Sequence, residues 1–310
     1  MLIIGENIQI LSTTVKNAVN DRQAEPLQEM AKMLVEHGAD VVDLNIGRRK
    51  KDGPEVMRWM VDIMHKAIPG VSLSLDTTNP DAIRAGLERC QELGIKAFIN
   101  SVSAMPDRIE EVMPLAAEFN ANLIALTMTK AGIPVHSDER INIAVEVLAP
   151  AIEEFGIAMT KIYFDPLVLT VAGCQEYVPE AIETIRMLKM MWDPAPMTTV
   201  GLSNVSNQVA HEKRSLINRV YLVMLMAAGL DSAILDPLDT AQNEFIRIVN
   251  ERDTSTGLGQ LLINLYDAVA AMEELDPGTV DMDDPAQAAV WKTVQILQNQ
   301  VIFAESYLKM

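Results

Sequence analysis

The chain is predicted to be an α/β protein, a (β/α)8 TIM barrel with a C-terminal helical extension, and three observations predict it. Short β-branched runs recur between longer stretches of helical spacing, the signature of repeated βα units on a parallel sheet. Each run ends on a polar residue, and these ends recur every 24 to 39 positions, about one βα unit. Glycines stand where helices must stop before the next run. Eight such runs fit into roughly 240 residues, the span of a closed barrel, whereas an open doubly wound sheet usually has fewer strands.

Taken in order, strands are expected at 2–5, 41–44, 72–75, 97–99, 123–126, 162–164, 198–202 and 233–235. The polar ends are Glu6 with Asn7, then Asn45, Asp76, Asn100, Thr127, Asp165, Asn204 and Asp236. Gly38, Gly94, Gly156 and Gly229 each follow a helical stretch at the place of a left-handed stop. Pro80 and Pro179 suit the first turn of a helix, where a missing N–H costs nothing. Three further helical stretches follow the last strand, at 242–251, 258–275 and 285–308. The first closes the barrel. The other two, joined by an acidic turn at 276–284, form an appendage that covers a barrel end or pairs across a dimer. No Gly- or Ser-rich linker intervenes, so the chain divides into a barrel over 1–254 and an extension over 255–310 of the same body.

Composition narrows the function. With 49% apolar and 22% charged residues, neither disorder nor a small disulfide scaffold is expected. A net charge of −18 repels a phosphate backbone, so no nucleic-acid partner is expected, and any anionic ligand must meet a local basic cluster. Cys90 and Cys174 lack partner motifs and read as free thiols. The N-terminal apolar run is too short for a signal peptide, and no run reaches the length of a spanning helix. A soluble, cytoplasmic protein without a membrane contact is therefore expected.

In a parallel barrel the C-terminal strand ends build the site. Here they present Asn7, Asp43, Asn45, Asp76, Asn100, Thr127, Asp165, Asn204 and Asp236, a ring of amides and carboxylates without histidine. His37, His65, His136 and His211 fall in helical or loop patterns, so neither a histidine metal site nor a Ser-His-Asp relay is expected, and no metal is assigned. Carboxylates accept paired N–H donors and amides both donate and accept, which suits a neutral heterocycle. Asp43, Thr127 and Asp236 are read as helix caps or loop brackets. Asp76 is read as a ligand because Asn79 is the better cap. Asp165 is read likewise because Pro166 offers no N–H.

Five ordered motifs then carry a resemblance: Leu-Ser-Leu-Asp-Thr-Thr-Asn (73–79), Ile-Asn-Ser (99–101), Leu-Thr-Met (126–128), Phe-Asp-Pro-Leu (164–167) and Gly-Leu-Ser-Asn-Val-Ser-Asn (201–207). From Met1 to about Asp236 the chain resembles the pterin-binding methyltransferases, dihydropteroate synthase-like barrels. It is most similar to the branch that moves a methyl group between tetrahydrofolate and a corrinoid protein, including the corrinoid iron–sulfur protein methyltransferases and the second methyltransferases of O-demethylase systems. The resemblance implies that Asp76, Asn100 and Asp165 pair with the pterin 2-amino group and ring nitrogens, and that Asn204 turns towards N5. It places Arg214 near the folate tail, with Asn7, Asn45, Met128, Gly201, Ser203 and Asn207 completing the pocket. The stretch 207–213 is longer than in similar enzymes, which weakens the carry-over at Ser206 and Asn207. Tetrahydrofolate or 5-methyltetrahydrofolate is then the small-molecule substrate.

No Asp-x-His-x-x-Gly pattern for a corrinoid lower ligand occurs, so the cobalamin is expected to arrive on a partner protein. A homodimer is implied by the resemblance alone. The run Arg48-Arg49-Lys50-Lys51 is either a solvated loop or a contact for the folate glutamates or an acidic patch on that partner. The chain length beyond about 255 favours transfer from methyl-Co(III) to tetrahydrofolate. Dihydropteroate synthase, a metal-dependent barrel lyase and a non-catalytic pterin binder are the alternatives; the first lacks its Asn-x-Thr-Pro-Asp-Ser-Phe loop here, where Gly-Glu-Asn-Ile-Gln-Ile (5–10) stands instead.

Overall fold

A computed structural model describes residues 1–309 and shows an eight-stranded, all-parallel sheet curled into a barrel. The strands are β1 (Leu2–Gly5), β2 (Val41–Asn45), β3 (Ser72–Asp76), β4 (Ala97–Ser103), β5 (Asn122–Leu126), β6 (Ile162–Asp165), β7 (Met197–Thr198) and β8 (Ser232–Leu235). Consecutive strands pair from β1 to β7, and β8 pairs back onto β1. Between β7 and β8 the ring is closed by a bridge from Gly201 to Ile234, whose N–H donates to the Val200 carbonyl at 2.8 Å.

Side-chain alternation explains how a barrel core becomes a polar mouth. Every second residue of a strand faces the interior. Ile4, Val41, Phe98, Ile124 and Tyr163 form a buried plug with Leu2, Leu126, Met197 and Ile234 around it. Phe98 and Tyr163 meet edge to face with ring centroids 5.1 Å apart. Two residues further along the same strands stand Glu6, Asp43, Asn100, Leu126 and Asp165, one layer above the plug. The polar ring is thus the next interior layer of the same strands.

The predicted helix stops are present: Gly38, Gly94, Gly156 and Gly229 have φ of 99°, 70°, 68° and 103°. Asn79 caps its helix by accepting from the Asp81 and Ala82 N–H groups, with Pro80 in the first turn. Both cysteines are free. Among the described residues no helix is long and apolar enough to cross a membrane.

Four boundaries differ from expectation by more than two residues, the first being β4, which runs on to Ser103 instead of ending at 99. The seventh strand, Met197–Thr198, keeps only Thr198 of the expected 198–202, because the chain turns into a 3-10 helix, Leu202–Ser206. The last helix ends at Leu297 rather than 308: Asn299 takes a left-handed φ of 57° and the tail reverses. The helix expected at 258–275 stops at Ala270, just before Met272 at φ 61°. Helices Gly257–Ala270 and Pro285–Leu297 pack against helix His211–Ala227 on the flank of the barrel. That barrel helix is buried along Val220–Met226 without a break, as expected for a helix covered on two sides.

Candidate active site

Parallel register sets one wall of the mouth. Asn45 lies opposite Asp76, and Asp76 opposite Asn100, so three strand ends present their side chains as neighbours. Asn45 donates through Nδ2 to Asp76 Oδ2 at 2.5 Å, while its Oδ1 accepts from the Gly47 N–H at 3.2 Å. Asn100 donates to Asp43 Oδ1 at 3.2 Å. Burial pushes Asp43 well above the usual carboxylate range, and the charge of Asp76 pushes it further. Asp76 is raised to about 6, by burial first, against the stabilising donation of Asn45 and a hydrogen bond from Asp43. The reading of Asp43 as a cap is corrected: the next helix, Gly53–Ala67, begins after Asp52, nine residues further on, and Asp43 is buried beside Asp76.

Beside this wall opens a cleft of about 810 Å³. It runs from Asp76 and Asn100 past Leu126 and Met128 to Arg48 and Lys50 at the rim. Of the basic run, Arg48, Lys50 and Lys51 are exposed, whereas Arg49 is tied to Asp52 at 2.5 Å and to Asn20.

The next two strand ends are more closed. Thr127 donates through Oγ1 to the Asp165 carbonyl at 3.2 Å, the bracketing role expected of it. Asp165 is buried, does not line the cleft, and accepts from the Leu167 N–H at 2.7 Å. Pro166 therefore does not free this carboxylate from its own turn, contrary to the sequence argument; the turn is satisfied one residue later, with Leu167 at φ 65°. Burial lifts Asp165 to about 7, opposed by the Leu167 N–H and by Arg140. Arg140 has no exposed surface and anchors the loop after β5 by donating to the carbonyls of Pro134 (2.9 Å) and Val135 (3.3 Å).

The opposite wall is made by the turn after β7 and the ends of β8 and β1. A Cβ on Gly201 would meet Asn204 Nδ2 at 3.0 Å, so glycine is what lets the Asn204 amide fold back over the turn. Asn207 donates to Asn204 Oδ1 at 3.1 Å. Among the described residues Asn204 Nδ2 donates to no protein group, so its hydrogens are available to a ligand. Ser203 donates to Glu6 Oε2 at 3.1 Å, Ser206 to the Ser203 carbonyl at 3.3 Å, and Arg214 to Ser206 Oγ at 3.2 Å. Asn7 donates to Asp236 at 2.8 Å, which also accepts from the Leu238 N–H, as a loop bracket should. Glu6, Ser203, Arg214 and Asp236 line a second cavity of about 420 Å³. Burial raises Glu6 to about 7; the Ser203 hydroxyl lowers it, Asp236 raises it and Arg214 lowers it.

The long stretch 207–213 is fastened from afar. Glu305 accepts from the Ala210 N–H at 3.1 Å and pairs with Lys213 at 2.5 Å. Gln175, after β6, donates to the carbonyls of Ile296 (2.8 Å) and Val301 (2.6 Å) and accepts from the Phe303 N–H (2.7 Å). The tail beyond Leu297 thus returns to the mouth.

The sequence-predicted residues therefore fall into two networks. Asn45, Asp76 and Asn100 form one; Gly201, Ser203, Asn204, Asn207 and Arg214 form the other. Asn7 is tied to Asp236, Met128 lines the cleft and Asp165 lies buried in its turn. Glu6, Asp43 and Arg140 are the members sequence reasoning missed. The first two were detectable as interior positions two residues beyond Ile4 and Val41; nothing in the Ser-Asp-Glu-Arg stretch marks Arg140 as buried.

This ring of strand-end amides and carboxylates matches a known family: residues 12–236 correspond to the family described as pterin binding enzyme. The chain belongs to the pterin-binding enzymes. A methylcorrinoid:tetrahydrofolate methyltransferase of Eubacterium limosum is 26% identical over 239 residues, 76% of this chain and 85% of that protein. The methionine synthase of Mycobacterium tuberculosis is 30% identical over 245 residues, 76% of this chain but only 20% of that much longer protein. Among solved structures, Yersinia pestis dihydropteroate synthase matches with a TM-score of 0.55 at 16% identity, covering 81% of this chain and 91% of the synthase. Its complex with a pterine-sulfa conjugate matches at 0.57 and 16%, covering 82% and 94%. These structures share the barrel fold of this pterin-binding enzyme.

Proposed function

We propose that this enzyme transfers a methyl group between a corrinoid protein and N5 of tetrahydrofolate, running from methyl-Co(III) to tetrahydrofolate as the second methyltransferase of a demethylase system. The observation that carries the reading is the Gly201–Asn207 turn, which leaves one neutral amide with an unspent donor at the mouth, facing a wall of carboxylate and amide. The similarity to the methylcorrinoid:tetrahydrofolate methyltransferase of Eubacterium limosum supports it.

In this reading Asp76 and Asn100 take the 2-amino and ring N–H groups of the pterin, with Asn45 holding the Asp76 carboxylate in place. Asp165 serves the pterin edge only if a ligand draws it from its Leu167 turn. The lone pair of N5 attacks the methyl carbon, the N–C bond forms, and the C–Co pair stays on cobalt as Co(III) becomes Co(I). An amide serves both sides of that step. Asn204 Nδ2 donates to the lone pair of the methylated amine; its Oδ1, released from Asn207, accepts from the N–H of the unmethylated one. The corrinoid is a substrate borne by a partner, and the exposed Arg48 and Lys50 beside the cleft suit an acidic patch on it or the folate carboxylates.

The test is transfer from methylcobalamin, free or on a corrinoid protein, to tetrahydrofolate. Loss of the methyl-Co(III) absorbance with stoichiometric 5-methyltetrahydrofolate is expected. No transfer from either donor, with condensation of a pterin pyrophosphate and p-aminobenzoate instead, overturns the reading in favour of a synthase.

A further inference from the structure

The step just described leaves a proton to be placed. When the secondary amine N5–H attacks the methyl carbon, nitrogen becomes a protonated tertiary ammonium and must release H⁺ before the product is neutral. Neither Asn204 nor Asn207 titrates, so the protein needs a base near that turn.

Five carboxylates stand around the mouth, and four are committed, Asp236 among them through the Asn7 side chain and the Leu238 N–H. Asp76 accepts from Asn45, Asp43 accepts from Asn100, and the two carboxyls lie against each other. Asp165 is closed in its own turn. Glu6 differs: among the described residues its carboxylate has a single hydrogen-bond donor, Ser203 Oγ at 3.1 Å, and Ser203 adjoins Asn204 in the chain. The bond is oriented for relay, because the Ser203 proton already points at Glu6 and leaves the Oγ lone pairs able to accept another. Ser203 is itself held, since Ser206 donates to its carbonyl and Arg214 to Ser206.

We propose that Glu6, acting through the hydroxyl of Ser203, receives the proton released from N5 when the methyl group arrives. The proposal rests on the methyl-transfer reading above. The N5–H pair stays on nitrogen as its proton passes to Ser203 Oγ, and the Ser203 proton passes to Glu6 Oε2, leaving serine unchanged and Glu6 neutral. Glu6 then returns its proton to water through the cavity it lines. Transfer from 5-methyltetrahydrofolate to Co(I) runs the same relay backwards, with neutral Glu6 as the donor.

The charged groups facing Glu6 are mixed. Asp43 approaches from β2, Asp236 from β8 and Arg214 from helix His211–Ala227, while His211 and Asp239 line the same cavity. Burial outweighs the rest and holds Glu6 at about 7, where it both takes and gives a proton near neutral pH.

Methyl transfer to tetrahydrofolate should be followed across pH for the intact protein and for Glu6→Gln, Glu6→Asp and Ser203→Ala, with tetrahydrofolate affinity measured in each. The unaltered enzyme should speed up as pH rises towards a plateau above about 7. Glu6→Gln should lose that limb and run about 10²-fold slower on the plateau, with tetrahydrofolate affinity retained. Glu6→Asp should recover part of the rate and keep a limb; Ser203→Ala should slow transfer without removing folate. In the reverse direction the intact enzyme should slow above about pH 7 and Glu6→Gln should be flat. A Glu6→Gln profile equal to that of the intact enzyme, or one slower at every pH with its limb preserved, overturns the relay while methyl transfer by the intact enzyme stands. Absence of transfer and of folate binding in the intact enzyme overturns the functional reading and the relay with it.

Discussion

The two walls of the mouth are built by different means. Asn45, Asp76 and Asn100 sit on regular strands, and their register alone brings them together. Across the mouth, Ser203, Asn204 and Asn207 sit on a 3-10 turn that follows a two-residue strand, held by Gly201, by Arg214 through Ser206, and by a tail almost a hundred residues downstream. A wall fixed by register suits recognition of a rigid ring, whose donors do not move during reaction. A wall held by side-chain contacts suits the reacting atom, whose hydrogen bonding reverses when N5 gains a methyl group. On the proposed reading, this barrel assigns binding to its sheet and turnover to its loop.

The largest expected effect tests that division on the loop side. Asn204→Ala should lower kcat by about 10²–10³ with little change in folate affinity or Tm, read by methyl-transfer kinetics alongside binding. Full transfer rate in that variant would remove Asn204 from the chemistry. On the sheet side, Asp76→Asn should act through affinity, weakening tetrahydrofolate binding about 10- to 10²-fold, the worth of a hydrogen bond to a charged group. A kcat defect with unchanged affinity would instead merge the two walls into one.

A third test separates them by pH. Burial raises Asp76 to about 6 and Asp165 to about 7, both above the ordinary 3.8. A carboxyl that is harder to ionise in the folded protein than in the unfolded chain contributes stability below the unfolded value, and loses it as pH climbs through the folded one. The ligand-free protein should therefore melt at higher temperature near pH 5 than near pH 8, and Asp165→Asn should flatten that slope. An unchanged slope in the variant would assign the trend to the chain's net charge of −18 instead. The smallest effect concerns the tie on the loop. Glu305→Ala releases the Ala210 N–H and Lys213 and should cost about two- to five-fold in kcat without moving Tm, as befits an exposed pair. A matching loss in folate affinity would mean that the tie also serves the sheet side.

The same contrast governs what the sequence alone reveals. Seven of the eight strand positions and all four glycine stops follow from period-two runs and from the left-handed backbone a helix end requires. Asn45, Asp76 and Asn100 were legible because register turns strand-end polarity directly into proximity. Asp43 and Glu6 were visible as polar residues, yet Asp43 was read as a cap and Glu6 received no role, because a strand end alone does not say which side chain continues the interior layer. The seventh strand and the last helix were overrun because a turn and a reversal there depend on distant partners. Gln175 meets Val301 and Ala210 meets Glu305 only after the chain has folded. Arg140 carries no local signal at all, since its burial is decided by the loop it anchors.

The return of the tail to the mouth sets an order of events during synthesis. The loops at Gln175 and Ala210 leave the ribosome long before Glu305, separated from their partners by 121 and 95 residues. At about 5–20 residues per second, several seconds pass in which the strands can associate while the turn bearing Asn204 lacks its distant anchor. Contacts of such long sequence separation also form late, because the loop they close must be ordered first. The barrel therefore matures before the wall that bears Asn204, and on the proposed reading a nascent chain can hold the shape of the enzyme before it holds the means to turn over.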